Sequence, residues 1–229
     1  PRGSLPRPAL GTRVLRPARP QDGLTHRVSE TQFAITGADT RYFLHGALFI
    51  LKPDEMSLVS TDGHRLALIT VPRDKAKTKS TGKDKADDEV RVILPRKTLM
   101  ELGRLLSEGE GDIHYERGEN HLFFEIGGRL LISRMIDGQF PAFERVSPKG
   151  NDKRIDFDRD RLTSAVKRVA LLSNERSRAV KFQIDKGKVE IASSSPEFGE
   201  AREVLMVDYS GTPVTICFNA QYVLDFLGV

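Results

Sequence analysis

The residues best suited to chemistry in this 229-residue chain are five histidines, one cysteine and a short acid-glycine-histidine run. His26, His45, His64, His114 and His121 lack the i, i+4 helical spacing of a zinc protease, and no cysteine pair joins them as in a zinc finger. Asp62-Gly63-His64 could set an acid beside an imidazole, but Asp-Gly between two apolar runs is first a hairpin turn. No G-x-S-x-G elbow and no phosphate-binding glycine loop is present. The residues therefore imply neither an enzyme nor a cofactor nor a metal. Cys217 lies in the apolar run Ile216-Cys217-Phe218; as the only cysteine it cannot form an internal disulfide. It is expected to be a buried small apolar residue, and a lone thiol fits a reducing, intracellular compartment.

What remains is charge. The formal net charge is +4, from 36 Lys and Arg against 32 Asp and Glu. Residues 1–30 hold six arginines and two acids, so the surplus sits there, and the remainder carries 30 of each sign. Strong non-specific phosphate binding needs a basic patch or stripe, so DNA contact by the neutral body is expected to be local and weak. Two helices offer such contacts. In 160–173 the apolar residues Leu162, Ala165, Val166, Val169 and Ala170 follow the i, i+3, i+4, i+7, i+8 pattern, with Asp158 or Asp160 as cap. The opposite face offers Arg161, Ser164, Lys167 and Arg168. Further upstream Leu99, Leu102 and Leu106 face inward while Arg96, Lys97 and Arg104 face out. The acids in 73–89 nearly cancel its lysines, and with two alanines as its only apolar residues it reads as a solvated loop.

These helices belong to a repeat. A short apolar strand, then Pro, Asp or Asn, then an amphipathic helix occurs at Val14–Pro17, Val92–Pro95, Ile155–Asp158 and Ile216–Asn219. Between the last three anchors the spacing is 63 and 61 residues. Short apolar runs joined by turn residues fill the intervals: 47–51, 56–60 and 64–69; 111–115, 121–126 and 129–133; 179–184, 189–192 and 201–207. Such units predict an α+β chain of duplicated half-domains, each an amphipathic helix packed under antiparallel strands. With 38% hydrophobic and 30% charged residues and no long apolar span, the chain reads as soluble. Residues 1–4 resemble the remnant of a cleaved tag, and 1–23 is read as an irregular Arg/Pro-rich segment. The domains are placed at 24–150, with the charged loop 73–89, and at 151–229.

Five segments then carry a family resemblance: 39–46 (DTRYFLHG), 60–67 (STDGHRLA), 92–97 (VILPRK), 136–141 (IDGQFP) and 172–176 (LSNER). In this order they resemble the bacterial sliding clamp, the beta subunit of DNA polymerase III, from about Leu24 to Val229. In that family three similar domains, each a duplicated half, make a subunit, and two subunits close into a ring around duplex DNA. The resemblance implies a non-catalytic, cytoplasmic, nucleoid-associated processivity factor that holds DNA without reading its sequence. It identifies this chain as a middle domain plus a truncated last domain, expected to be monomeric. The family's partner pocket lies between the middle and last domains and accepts short apolar peptide motifs of polymerases, clamp loaders and repair proteins. Carried over by motif, its walls are Arg41, Leu44, Thr61, Gly63, His64, Arg65, Leu66, Pro141, Arg145, Val146, Asn219 and Tyr222. Lys97, Arg104, Lys167 and Arg168 would face the DNA. A peptide-binding adaptor without ring closure, or a weak nucleic-acid-binding fragment, are the alternatives.

Overall fold

The computed structural model describes residues 13–15, 30–37, 40–72, 89–108 and 113–229, with side chains from residue 30 onward. The expectations placed on Pro17, Leu24, Asp39 and residues 73–88 lie outside these. The chain forms two compact units, Pro1–Pro141 and Ala142–Val229.

The first unit holds two four-stranded antiparallel sheets. One runs β4-β3-β2-β5, from β2 (Gly46–Leu51), β3 (Glu55–Thr61), β4 (Leu66–Pro72) and β5 (Val90–Pro95). The other runs β1-β6-β7-β8, from β1 (Arg13–Leu15), β6 (Ile113–Arg117), β7 (His121–Ile126) and β8 (Arg129–Arg134). Residues 13–15 thus form a strand where the repeat placed one at Val14–Pro17, inside the stretch otherwise read as irregular. β2 is buried along its whole length, as its unbroken apolar sequence requires, whereas the edge strand β4 alternates between buried and open positions. Helix α1 (Arg96–Glu108) inserts Leu99, Leu102 and Leu105 into a core shared with Phe49, Leu58, Tyr115, Leu122 and Phe124. Leu106, expected to face inward, is only partly buried, and Leu105 takes its place.

The leading strands of the first unit's two halves cross over. β5 runs into α1 yet pairs with β2, while β1 pairs with β6, so each half lends its leading strand to the other half's sheet. A half-domain is therefore not a closed packet of its own strands. Ile93 and Ile136 add an antiparallel bridge, the Ile136 amide donating to the Ile93 carbonyl at 3.0 Å.

The second unit has one antiparallel sheet, β11-β10-β9-β12, built from β9 (Ala179–Asp185), β10 (Lys188–Ser195), β11 (Gly199–Met206) and β12 (Val214–Asn219). Helices α2 (Arg159–Ala170) and α3 (Ala220–Leu227) cover it, and Leu162, Ala165, Val166 and Val169 pack on Val180, Phe182, Val189 and Ile191. Asp158 is the cap: its side chain accepts from the Arg161 amide at 2.8 Å. Two expectations are corrected here. Residues 155–158 are not a strand, because the crossover pattern pairs a leading strand with the other half's first strand, and no such partner occurs among the described residues. Cys217 is exposed, not buried: β12 is an edge strand on which Ile216 and Phe218 are also open to solvent.

Candidate functional site

The hairpin joining β3 to β4 carries five of the expected peptide-binding residues. Thr61 stands opposite Leu66, so Asp62, Gly63, His64 and Arg65 form the tip. Its shape is fixed from inside. Thr61 Oγ1 donates to the Arg65 carbonyl at 2.6 Å, and the Gly63 amide donates to Thr61 Oγ1 at 3.0 Å. The Asp62 carboxylate accepts from the His64 amide at 2.9 Å, from the Arg65 amide at 3.0 Å and from Arg65 Nε at 3.0 Å. A short acidic side chain that bonds to amides just ahead of it is the reason Asp opens such a turn. Arg65 Nη2 donates to the Phe33 carbonyl at 2.6 Å, and the guanidinium carbon lies 5.2 Å from the Phe33 ring centroid.

Gly63 is called for by its backbone conformation, and it also leaves room for the end of the Arg41 side chain. Its φ of +89° favours a residue without Cβ, and a Cβ there would stand 2.8 Å from Arg41 Nη2. Arg41 therefore lies directly over the tip. The next residues form a 3-10 turn, Tyr42–Leu44, and the 137–141 loop leans on it: a Cβ on Gly138 would be 3.2 Å from Phe43 Cβ. The first unit thus gathers Arg41, the hairpin tip and the DGQFP loop around one short turn.

The accessibility of these residues differs. Arg41, Gly63, His64 and Pro141 are exposed, Arg65 and Leu66 are half-buried, and Thr61 is buried. Leu44 is fully buried, so the expected floor residue is core in this conformation. In the second unit Arg145 and Val146 share the turn after buried Phe143, and Val146 is 71% exposed. Asn219 caps α3, its side-chain oxygen accepting from the Gln221 amide at 2.9 Å, and Tyr222 is half-buried on the same helix.

The four expected DNA-facing residues are all exposed, on α1 and α2. Their charges are not equally available. Arg104 Nε reaches Glu101 at 3.0 Å and Nη1 reaches Glu108 at 3.0 Å, while Arg129 Nη1 donates to Glu108 at 2.5 Å. Donating hydrogen bonds to Glu101 and then Glu108 raises the Arg104 pKa, and accepting them from Arg129 and then Arg104 lowers that of Glu108. Arg168 pairs with Glu203 of β11, Nη2 to Oε2 at 2.7 Å, and this contact holds the Glu203 carboxyl below its ordinary range. Among the described residues Lys97 and Lys167 make no ion pair. Also among the described residues, no three His, Cys, Asp or Glu side chains are placed to hold a metal, and no helix is long and apolar enough to cross a membrane.

Sequence reasoning read Asp62 as a turn former without giving it a part in the site, and it missed Phe33. Asp62 carried a signal, since Asp after a strand and before Gly is a turn former; Phe33 carried none, because its partner Arg65 is 32 residues away.

Comparison with known proteins gives a consistent result. The profile of the DNA polymerase III beta subunit central domain matches residues 19–142, and that of its C-terminal domain matches 144–229. The beta sliding clamp of Pseudomonas putida is 39% identical over 209 residues, which are 91% of this chain and 54% of that protein. A crystal structure of the DNA polymerase III subunit beta from Pseudomonas aeruginosa matches with a TM-score of 0.84 at 35% identity, over 100% of this chain and 60% of that one. The Bartonella birtlesii sliding clamp bound to griselimycin matches with a TM-score of 0.82 at 37% identity, over 98% and 58%. The chain spans little more than half the length of these relatives.

Proposed function

Since the chain belongs to the DNA polymerase III beta subunit family, we propose that it is part of a non-catalytic sliding clamp that encircles duplex DNA and tethers replication and repair proteins to it. It acts in the bacterial cytoplasm, on nucleoid DNA. The mechanism is mechanical. A ring that must slide needs no base contacts and no tight phosphate grip, which suits a body with 30 basic and 30 acidic residues beyond residue 30. Lys97 and Lys167 supply guidance to the duplex, and Arg104 and Arg168 contribute less because carboxylates already face them.

Partners dock through short peptides with apolar anchors. The observation that carries this reading is the hairpin tip: a turn locked by Asp62 and Thr61, overlaid by Arg41, with exposed His64 and half-buried Leu66 at its base. Leu66 and Pro141 offer apolar surface, and Arg41 and His64 offer donors for peptide carbonyls or acids. Arg145, Val146, Asn219 and Tyr222 are the second unit's contribution to peptide binding.

The test is titration of the chain with a peptide bearing a Gln followed by spaced Leu and Phe anchors, alongside circular dichroism. Saturable binding that Leu66→Asp abolishes with the fold intact supports the reading. Loss of an anchor contact weakens binding by about 1–3 kcal/mol, so Val146→Ala should weaken it by about tenfold. No binding by the parent chain, or binding that survives Leu66→Asp in a folded protein, would overturn it.

A further inference from the structure

We infer that Asp62, Arg65 and Phe33 form a positioning latch that sets the shape of the hairpin tip and acts on peptide affinity through that shape. The inference rests on the peptide-binding reading above. Three observations carry it. The Asp62 and Arg65 side chains are only 16% and 18% exposed, although both bear formal charge and sit at a hairpin tip. Asp62 binds the His64 and Arg65 amides through Oδ1 and Arg65 Nε through Oδ2, so both oxygens are engaged. Arg65 spends Nη2 on the Phe33 carbonyl and its flat face on the Phe33 ring.

A guanidinium held in this way ties the tip to the segment at Phe33, where a second tie also runs: Ser60 Oγ donates to the Thr31 carbonyl. A largely buried ion pair contributes little net stability over an apolar replacement, so its evident product here is one conformation of the tip. That conformation fixes where His64 and Gly63 sit, and hence the seat of Arg41 over Gly63.

The variants separate the parts of the latch. Asp62→Ala removes both the turn acceptor and the partner of Arg65. Asp62→Asn keeps an oxygen for the two amides but no charge for Arg65. Phe33→Leu removes only the ring. Using the peptide of the preceding experiment, Asp62→Ala should weaken binding about tenfold, the size of a lost cap, with Asp62→Asn and Phe33→Leu each losing about threefold. Amide exchange at His64 and Arg65 should quicken about tenfold in Asp62→Ala and less in Asp62→Asn, while the melting temperature moves by only a few degrees.

If the parent binds and folded Asp62→Ala binds equally well, the latch does not position the site. If Asp62→Asn and Phe33→Leu both bind as the parent does, the Arg65 tie has no part in it, which overturns the proposal as well. A parent chain that binds no peptide would sink the peptide reading and the affinity claim together. Exchange at the two amides reads the latch apart from any peptide, and unchanged rates in Asp62→Ala would overturn the latch itself. Should Asp62→Ala fail to fold, the same comparisons are made with Asp62→Asn and Phe33→Leu.

Discussion

Asp158 and Asn219 cap their helices with identical backbone angles, φ −67° and ψ 121°. They stand 61 residues apart, which is the period read in the sequence. A second equivalence joins α1 to α3. The Arg96 amide donates to the His45 carbonyl at 3.2 Å and the Ala220 amide to the Arg178 carbonyl at 2.8 Å. His45 and Arg178 each stand just before the strand, β2 or β9, that pairs with the strand leading into that helix. One local design, repeated, satisfies the otherwise orphaned amides at the helix starts.

The cap makes a direct prediction. Asp158→Ala should lower the stability of the second unit by about 1 kcal/mol, and Asp158→Asn should cost only a fraction of that. Urea denaturation followed by circular dichroism measures both. Equal midpoints for parent and Asp158→Ala would remove the side chain from any capping role.

Much of this fold was legible because its elements announce themselves locally. β2, β3, β9 and β10 follow apolar runs between turn residues, and α2 follows a clean helical stripe with an acidic cap before it. What could not be read was partner choice. The pairing of β5 with β2 and of β1 with β6 is a tertiary preference with no trace in either strand's own sequence. That is why 155–158, whose residues look like those of the other anchors, was expected to be a strand. The candidate site divides in the same way. The turn at Asp62-Gly63 was readable, but the burial of Leu44 and the capture of Arg65 by Phe33 depend on segments distant in sequence.

Cys217 provides a sharp check on the second unit, since sequence and structure disagree about it. An exposed thiol on an edge strand should react with a thiol reagent without denaturant, at a rate within about tenfold of the unfolded chain. A buried thiol would be silent until unfolding. Protection in the folded state would show that β12 is covered.

Acidification tests the Arg168–Glu203 pair. The pair holds the Glu203 carboxyl below its ordinary value, so its contribution to stability is present above the unfolded value, about 4.3, and is lost as pH falls through the lower folded one. Glu203→Gln should therefore melt earlier than the parent at neutral pH and match it at the acid end. The difference will be small because Arg168 is well exposed. A gap that stays constant down to the acid end would assign it to packing.

The same ion pairs rank the basic residues for DNA. Arg104 shares Glu101 and Glu108, and Arg168 faces Glu203, so their fields are largely cancelled before any phosphate arrives. Lys97 and Lys167 face no carboxylate in an ion pair among the described residues. Duplex binding should be weak, independent of sequence and salt-sensitive, and Lys97→Glu or Lys167→Glu should each lower the log-affinity against log-salt slope by about 1. Arg104→Gln should change it less. Glu203→Gln should strengthen binding by releasing Arg168. Deleting residues 73–89 should leave all of this unchanged, because that segment's acids and lysines nearly cancel. Fluorescence anisotropy with a short duplex at several salt concentrations measures each variant. A larger effect from the 73–89 deletion than from Lys167→Glu would move the DNA contact to that loop and away from the helices.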